Sequence, residues 1–265
     1  MPSLACDAPE ALIRCLVLWN IDLTLVDVSR VTRAAYADAF QQVTGRRLIQ
    51  LPQFAGQSES EIFFDALARN TVPGTTGPGT TGDASAGDDS GGVLLAAFYD
   101  ALARAFAARQ GDLTEQGRLL PGAAQAVETL ASRPDVVVQS VLTGTIQPNA
   151  VAKLTAFGLE SYFDFEVGGY GSESYPKGAL VMMARARAAE KYGRTFTERN
   201  TVYVGDSARD VAAAQRGGAR SVAVATGRST ESDLRAAGAD LVLPDLTDVP
   251  AVLRGIGLLT MPSAS

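Results

Sequence analysis

Leu16-Val17-Leu18-Trp19-Asn20-Ile21-Asp22-Leu23-Thr24-Leu25-Val26-Asp27 is the stretch on which the reading of this chain turns. The apolar run from Cys15 to Trp19 has the length of one strand buried on both faces. Asn20, Asp22 and Thr24 follow it at every second residue. In a parallel α/β sheet, ligands bind beyond the carboxyl ends of the strands, so this polar cluster lies where an active-site rim belongs. Taken alone, the stretch is better read as a strand end running into a polar turn.

Three later stretches change that judgement. Val136 to Leu142 is an apolar run that ends in Thr143-Gly144. Thr201 to Val204 ends in Gly205-Asp206-Ser207, with Asp210 one helical turn on. Between them lies Lys177, in Tyr175-Pro176-Lys177-Gly178. Each stretch brings a polar group that phosphate chemistry uses. In this order and at these spacings the set resembles the haloacid-dehalogenase-like (HAD) hydrolases. Their pattern is Asp-x-Asp-x-Thr, then Ser/Thr, then Lys/Arg, then Gly-Asp-x-x-x-Asp. The resemblance runs from residue 20 to residue 210, most of the chain, with one departure: the pattern's first Asp is Asn20 here.

Composition removes other classes. The 265 residues allow one domain with an insert, or two small domains. A net charge of −6 argues against non-specific nucleic-acid binding, which needs a basic face. The two cysteines, Cys6 and Cys15, form neither a disulfide framework nor a zinc site and point to a reducing, cytoplasmic setting. Histidine is absent, which excludes Ser-His-Asp triads and histidine metal sites. Any general acid or base must be a carboxylate, Lys, Tyr or Cys. No run approaches the ~20 apolar residues of a membrane helix. Residues 1–14 carry Asp7 and Glu10 and lack a basic stretch leading into an apolar one, so neither a secretory signal nor a membrane partner is expected.

Residues 1–13 read as a loose tail. Helical periodicity predicts a helix over Ser29–Thr44, with Ser29 as its cap and Gly45 as its end. A loop over Gln50–Gln57 leads to a helix starting at Ser58-Glu59-Ser60-Glu61. Residues 71–92 hold nothing large and apolar between Val72 and Val93, and read as a flexible linker. A third helix is expected over Val93–Arg109. From Pro121 the pattern alternates. Helices are expected at Ala123–Ser132, Asn149–Phe157, Ala179–Tyr192, Asp210–Arg216, Ser229–Ala237 and Asp248–Arg254. Strands are expected at Val136–Leu142, Phe163–Val167, Thr201–Val204, Ser221–Ala225 and Leu241–Leu243, with a loop at Gly168–Gly171 and a disordered end after Gly257. This alternation implies an α/β fold: a mostly parallel, Rossmann-like sheet with helices on both faces.

The resemblance adds domains and roles. It implies a core of residues 14–27 and 119–257, and an inserted helical cap, 28–118, that closes over the site and sets substrate choice. Phe54-Ala55-Gly56-Gln57-Ser58 is the cap loop expected to meet substrate. In the family the first Asp attacks phosphorus and forms an aspartyl-phosphate. Asp22 matches the second, which protonates the leaving group and then activates water; its backbone carbonyl binds Mg²⁺. Thr24 holds the loop. Ile21, Thr143, Gly144 and Lys177 match the phosphate-binding positions, with Lys177 neutralising phosphate and nucleophile. Asp206 joins position 20 and Asp22 as a metal ligand, and Asp210 acts from behind it, on a metal-bound water or on Lys177. Read without the resemblance, Thr143 is a helix-capping strand end, and Asp206 and Asp210 are a helix cap and a solvated first turn.

An amide is a poor nucleophile and a weak Mg²⁺ ligand, so the chain as written is expected to be nearly inactive. Two accounts of Asn20 are open. The preferred one is an engineered Asp→Asn change that stops turnover; the other is a natural non-catalytic relative that binds a phosphorylated ligand. Phosphoglycolate-phosphatase-like enzymes are the nearest in layout, and a phosphosugar mutase shares the core. The lack of Lys between residues 21 and 152 counts against a phosphonate hydrolase, and the lack of Gly-x-Gly-x-x-Gly against a Rossmann nucleotide binder. With no arginine cluster in the cap, the expected substrate is a small organic monophosphate, with an apolar part. The protein is expected to be a monomer or homodimer.

Overall fold

A computed structural model describes residues 15–52, 57–70, 90–173 and 176–260. The chain opens with β1 (Cys15–Trp19) and β2 (Val26–Asp27). Four helices follow: α1 (Ser29–Thr44), α2 (Glu59–Arg69), α3 (Ser90–Ala107) and α4 (Gln110–Gln116). Then come β3 (Arg118–Leu119), α5 (Ala123–Ala131), β4 (Val137–Thr143), α6 (Gln147–Thr155) and β5 (Gly169–Tyr170). The rest is α7 (Lys177–Tyr192), β6 (Thr201–Gly205), α8 (Ala208–Gly217), β7 (Arg220–Val224), α9 (Glu231–Ala236), β8 (Leu241–Leu243) and α10 (Val249–Thr260).

Six strands make one sheet in the order β5-β4-β1-β6-β7-β8. Every pairing in it is parallel. The inner strands run without alternation because helices cover both faces of the sheet; in β1 and β6 every residue is buried. Cys15, Val17 and Trp19 pack toward α1, α3, α5 and α10, and Leu16 and Leu18 pack toward α7 and α8. Register sets the end of β1 between β4 and β6: Trp19 pairs with Val141 on one side and Val204 on the other. Asn20 continues that alignment by donating its N–H to the Val204 carbonyl at 2.8 Å.

The helical insertion begins and ends at one place. β2 and β3 pair antiparallel, Val26 with Leu119 and Asp27 with Arg118. Chain entering and leaving α1–α4 therefore runs side by side. Helices α1, α2 and α3 share an aromatic core in which Phe98 stacks on Phe63 at 4.4 Å and meets the Tyr36 ring edge-on at 5.4 Å. Among the described residues no single helix is long and apolar enough to cross a membrane.

Most expected elements form within two or three residues of their expected ends, and several differ. Ser29 does not cap α1; Val28 is the cap residue, and the Ser29 hydroxyl is spent on Asp27 Oδ1 at 2.7 Å. The expected strand over Phe163–Val167 is 3₁₀ helix at Phe165–Val167, and the neighbouring strand is Gly169–Tyr170, inside the expected loop. Ser90-Gly91-Gly92 begin α3 rather than ending a linker, and α10 continues past Gly257 to Thr260. The rest of the linker, 71–89, lies outside the described residues, as do residues 1–13 and Phe54, Ala55 and Gly56.

Gly122 is a position the fold cannot give to another residue. Its φ is +77°, and a Cβ there would lie 2.0 Å from the Leu246 carbonyl oxygen, which is backbone and cannot swing aside. Gly122→Ala is expected to cost about 2–5 kcal/mol, from the left-handed backbone and the overpacking together. Urea unfolding measures it; a loss under about 1 kcal/mol would show that the junction between α5 and the segment before α10 relaxes freely.

Candidate active site

The loop after β1 is a tight coil closed on Ile21. The Ile21 carbonyl accepts from Leu25 N at 2.9 Å and Val26 N at 3.1 Å. Leu23 sits at φ 61°, a left-handed conformation that a bulky residue rarely adopts. It is held there by Leu23 N donating to Val26 O at 2.8 Å and by Thr226 Oγ1 donating to Leu23 O at 2.6 Å. The coil presents Asn20, Asp22 and Thr24 on the rim at the carboxyl end of the sheet.

Asn20 Nδ2 has three acceptors around it: Asp206 Oδ1 at 2.9 Å, the Asp22 carbonyl at 2.9 Å and Thr24 Oγ1 at 3.2 Å. Thr24 donates to the same Asp206 oxygen at 2.9 Å. On its other side, Asn20 Oδ1 accepts from Lys177 Nζ at 3.5 Å. This partition assigns the amide: nitrogen toward oxygens, oxygen toward the ammonium. Burial, with the charge of Asp210 added, pushes the Asp206 carboxyl up to about 7; the bonds from Thr24 and Asn20 and the charge of Lys177 act the other way.

Behind Asn20 lies a buried ion pair. Lys177 Nζ donates to Asp210 Oδ1 at 2.6 Å, and Tyr203 OH to the same oxygen at 2.8 Å. Asp210 Oδ2 accepts from Ser207 N at 3.0 Å and Ser207 Oγ at 2.7 Å. Burial alone would raise the Asp210 carboxyl, but Lys177 and the hydrogen bonds from Ser207 and Tyr203 bring it below the usual range. The helix cap here is Ser207, with Asp210 closing its capping box. Asp210 is therefore neither a solvated first turn nor a cap of its own; it is 2% exposed.

Thr143 ends β4 and is 1% exposed, with Oγ1 accepting from Thr145 N at 3.2 Å. At Gly144 a Cβ would stand 2.0 Å from the Gln57 carbonyl oxygen. Glycine thus lets the segment before α2 close down on the sheet rim, where Glu59 N donates to Gly144 O at 2.9 Å.

Two site residues escape the sequence reading. Glu59 was expected only as part of a helix start. It is 3% exposed and accepts from Thr145 Oγ1 at 2.5 Å and Ile146 N at 2.6 Å, so α2 is fastened to the loop after β4. Lys153 is 1% exposed on α6 and donates to both Asp22 oxygens, at 2.9 and 2.7 Å, with its ammonium over the Phe106 ring. Its scarcity was the available signal, since the chain holds three lysines. Glu59 offered none, because the capping box of α2 uses Ser58 and Glu61.

Asn20, Asp22, Thr143, Gly144, Lys177 and Asp206 line one cleft, together with Tyr36, Gln57, Glu59 and Lys153. Thr24, Asp210 and Ile21 are not in its lining; Thr24 and Asp210 bond groups that are. The donor set as it stands does not fit Mg²⁺. It offers one carboxylate, one carbonyl and an amide that turns N–H toward them. Among the described residues no three acidic or cysteine side chains converge to hold a metal ion. An aspartate at position 20 would supply the missing hard oxygen.

Glu59 makes stability depend on pH. Burial pushes its carboxyl up to about 7 from an ordinary 4.5, with Lys153, Thr145 and Ile146 opposing. Between these values the folded chain holds more protons than the unfolded one, so stability falls as pH rises from about 4.5 to about 7 and levels off above. Asp206 adds a decline of the same sign. Glu59→Gln is expected to flatten the Glu59 share while leaving that of Asp206. Urea midpoints of both proteins at pH 5 and pH 8 check this; equal declines in the two would refute it.

Residues 177–249 match the family model described as HAD-hydrolase-like. A search of curated protein sequences gives no match. Solved structures share the fold. A hydrolase from Pseudomonas syringae aligns at TM-score 0.61 and 21% identity, over 92% of this chain and 99% of that one. A predicted phosphatase from Clostridium acetobutylicum aligns at TM-score 0.62 and 17% identity, over 91% and 99%. A CbbY protein from Rhodobacter sphaeroides, an Asp-to-Asn mutant in complex with xylulose-(1,5)bisphosphate, aligns at TM-score 0.58 and 20% identity, over 89% and 96%. The whole chain thus shares the fold of these solved hydrolases and phosphatases, and its residues 177–249 carry the HAD-hydrolase-like sequence pattern.

Proposed function

We propose that this chain is the Asn20 form of a cytoplasmic, Mg²⁺-dependent phosphate-monoester hydrolase, nearly inactive as written. The observation that carries the reading is the position of residue 20. Its side chain touches both Asp206 and Lys177, so a carboxylate there would lie beside a cation ligand and a phosphate-neutralising ammonium.

With Asp at position 20, its carboxylate attacks phosphorus: a carboxylate O–P bond forms and the ester P–O bond breaks. Asp22 gives the leaving oxygen its proton, then takes one from the water that hydrolyses the aspartyl-phosphate. Lys153 fixes where the Asp22 carboxylate points. Thr143, the amides of Gly144 and Ile21, and Lys177 hold the phosphoryl oxygens. Mg²⁺, held by the position-20 carboxylate, the Asp22 carbonyl and Asp206, would neutralise charge on phosphate and nucleophile. Helices α1–α4, within 28–118, form the cap over the core of 14–27 and 119–257. The substrate is a small phosphorylated organic molecule.

A second reading has one observation in its favour. Every polar atom of the Asn20 side chain has a partner, as in a site built around an amide. In that reading the chain binds a phosphorylated small molecule without reacting. Phosphate release by Asn20→Asp separates the two: Mg²⁺-dependent turnover supports the hydrolase, and ester binding without turnover supports the binder.

A further inference from the structure

We propose that Leu23 is a specificity-determining residue: its side chain is the apolar wall against which the leaving group lies, so that the ligand is a phosphate monoester with alkyl rather than hydroxylated ester carbons. The inference rests on the phosphate reading of the cleft and names the other half of the ligand. Among the described residues, seven have a left-handed backbone. Six are glycines, and the seventh is Leu23 at φ 61°. A bulky side chain is strained there, whereas glycine adopts the same angle freely. The strain is contained from outside the coil. Thr226, in the loop between β7 and α9, donates its hydroxyl to the Leu23 carbonyl at 2.6 Å from 203 residues along the chain. Backbone strain of this kind persists where the surroundings over-determine it, and it clusters at ligand sites.

Folding does not account for a leucine at this position. Ile21 and Leu25, two residues to either side, are 0% exposed and belong to the core. Leu23 is half-buried and belongs to none of the three apolar clusters among the described residues. It lines the cleft beside Asp22. Tyr36 and Ile62, the other large apolar residues in the described lining, are 1% and 3% exposed and are packed into the main apolar cluster. Leu23 is therefore the large apolar side chain that the cleft leaves open to a ligand. In the hydrolase reading Asp22 meets the leaving oxygen, and its chain neighbour in the same lining meets the carbons beyond that oxygen. Alkyl carbons against an isobutyl group remove apolar surface from water. Hydroxyls in the same place would lose water and gain no partner. The apolar substrate part expected from the cap composition thus acquires a residue in the core.

Near-inactivity of the chain as written lets binding be read at equilibrium. Calorimetric titration at fixed ionic strength would use inorganic phosphate and one matched pair, n-propyl phosphate and glycerol 3-phosphate, which share three carbons and differ by two hydroxyls. Propyl phosphate is expected to bind at least fivefold tighter. Leu23→Gly and Leu23→Asn, both of which accept a left-handed backbone, should bind the two esters alike, and Leu23→Met should keep the preference. Leu23→Gly should melt no lower than the parent, since it relaxes the strained residue. Thr226→Val should lower the melting temperature more in the parent than in Leu23→Gly, where no strain needs containing. Equal binding of the two esters by the parent, or a preference that survives both Leu23→Gly and Leu23→Asn, overturns the role of Leu23 and leaves the phosphate reading intact. Equal effects of Thr226→Val in the two backgrounds overturn the strain on which the inference stands. Failure of all three probes to bind, inorganic phosphate included, overturns the phosphate reading and the role of Leu23 with it.

Discussion

Asn20→Asp is expected to raise phosphate-monoester hydrolysis on the order of 10³-fold or more over the chain as written, and only with Mg²⁺. The amide nitrogen has no lone pair to give and now donates to Asp206, the Asp22 carbonyl and Thr24. A carboxylate in the same place reverses that logic. Its oxygen would face Asp206 Oδ1 across the 2.9 Å that the amide N–H now bridges. Two carboxylates that close repel unless a cation lies between them. The variant should therefore melt lower than the parent in EDTA and recover in Mg²⁺, whereas the parent should melt at one temperature in both. This thermal readout is independent of turnover. Release of inorganic phosphate from a panel of monoesters gives the second readout, and transfer to another sugar hydroxyl instead would identify a mutase. Slow deamidation of Asn20 sets the parent's background, which should grow with storage. A parent that already turns over esters at rates typical of a phosphatase would sink the account of position 20. A variant that gains Mg²⁺-dependent stability without turnover would leave the metal site standing and transfer the function to the binding reading.

The architecture was legible because it rests on period and punctuation. β1 shows no alternation since both of its faces are covered, and the helices end where glycines turn left-handed, as at Gly45 and Gly193. Elements set by tertiary pairing were not legible. β2, β3 and β5 are two residues each, too short to carry a period, and exist because a neighbouring strand offers them hydrogen bonds. The same division holds in the cleft. Asn20, Asp22, Thr143, Lys177 and Asp206 lie at or just past strand ends or at a helix start, where parallel topology brings distant segments together, and the structure gathers them into one lining. Glu59 and Lys153 are helix residues, the first of α2 and one late in α6. Their burial depends on how α2 and α6 face the sheet rim, and one sequence does not state which helix face that is.

Asp210→Ala is expected to lower stability by about 3–5 kcal/mol, because it leaves the Lys177 ammonium buried without its counter-ion. In a chain of this size about 2–4 °C follows each kcal/mol, so the melting temperature should fall by roughly 6–20 °C. The damage is asymmetric. Asp210 collects donors from Lys177, Tyr203 and Ser207, and its loss strands them together. Tyr203 OH still reaches the Leu142 carbonyl at 3.1 Å, but the ammonium is left with a 3.5 Å contact to Asn20 Oδ1 and the face of the Tyr203 ring, and with no counter-ion. Lys177→Met removes one donor of four and fills most of the vacated space, so Asp210 keeps three partners and the loss should be smaller. Lys177→Met with Asp210→Ala removes both charges and should cost less than the two single changes added, since neither charge is then stranded. Chemical unfolding of the four proteins closes this cycle. Additive losses would mean that the pair is not coupled, and that Lys177 is held in place by packing rather than by its 2.6 Å bond to Asp210. Activity in the Asn20→Asp background should vanish with either charge, because Asp210 positions the ammonium and Lys177 is the group that meets the phosphate.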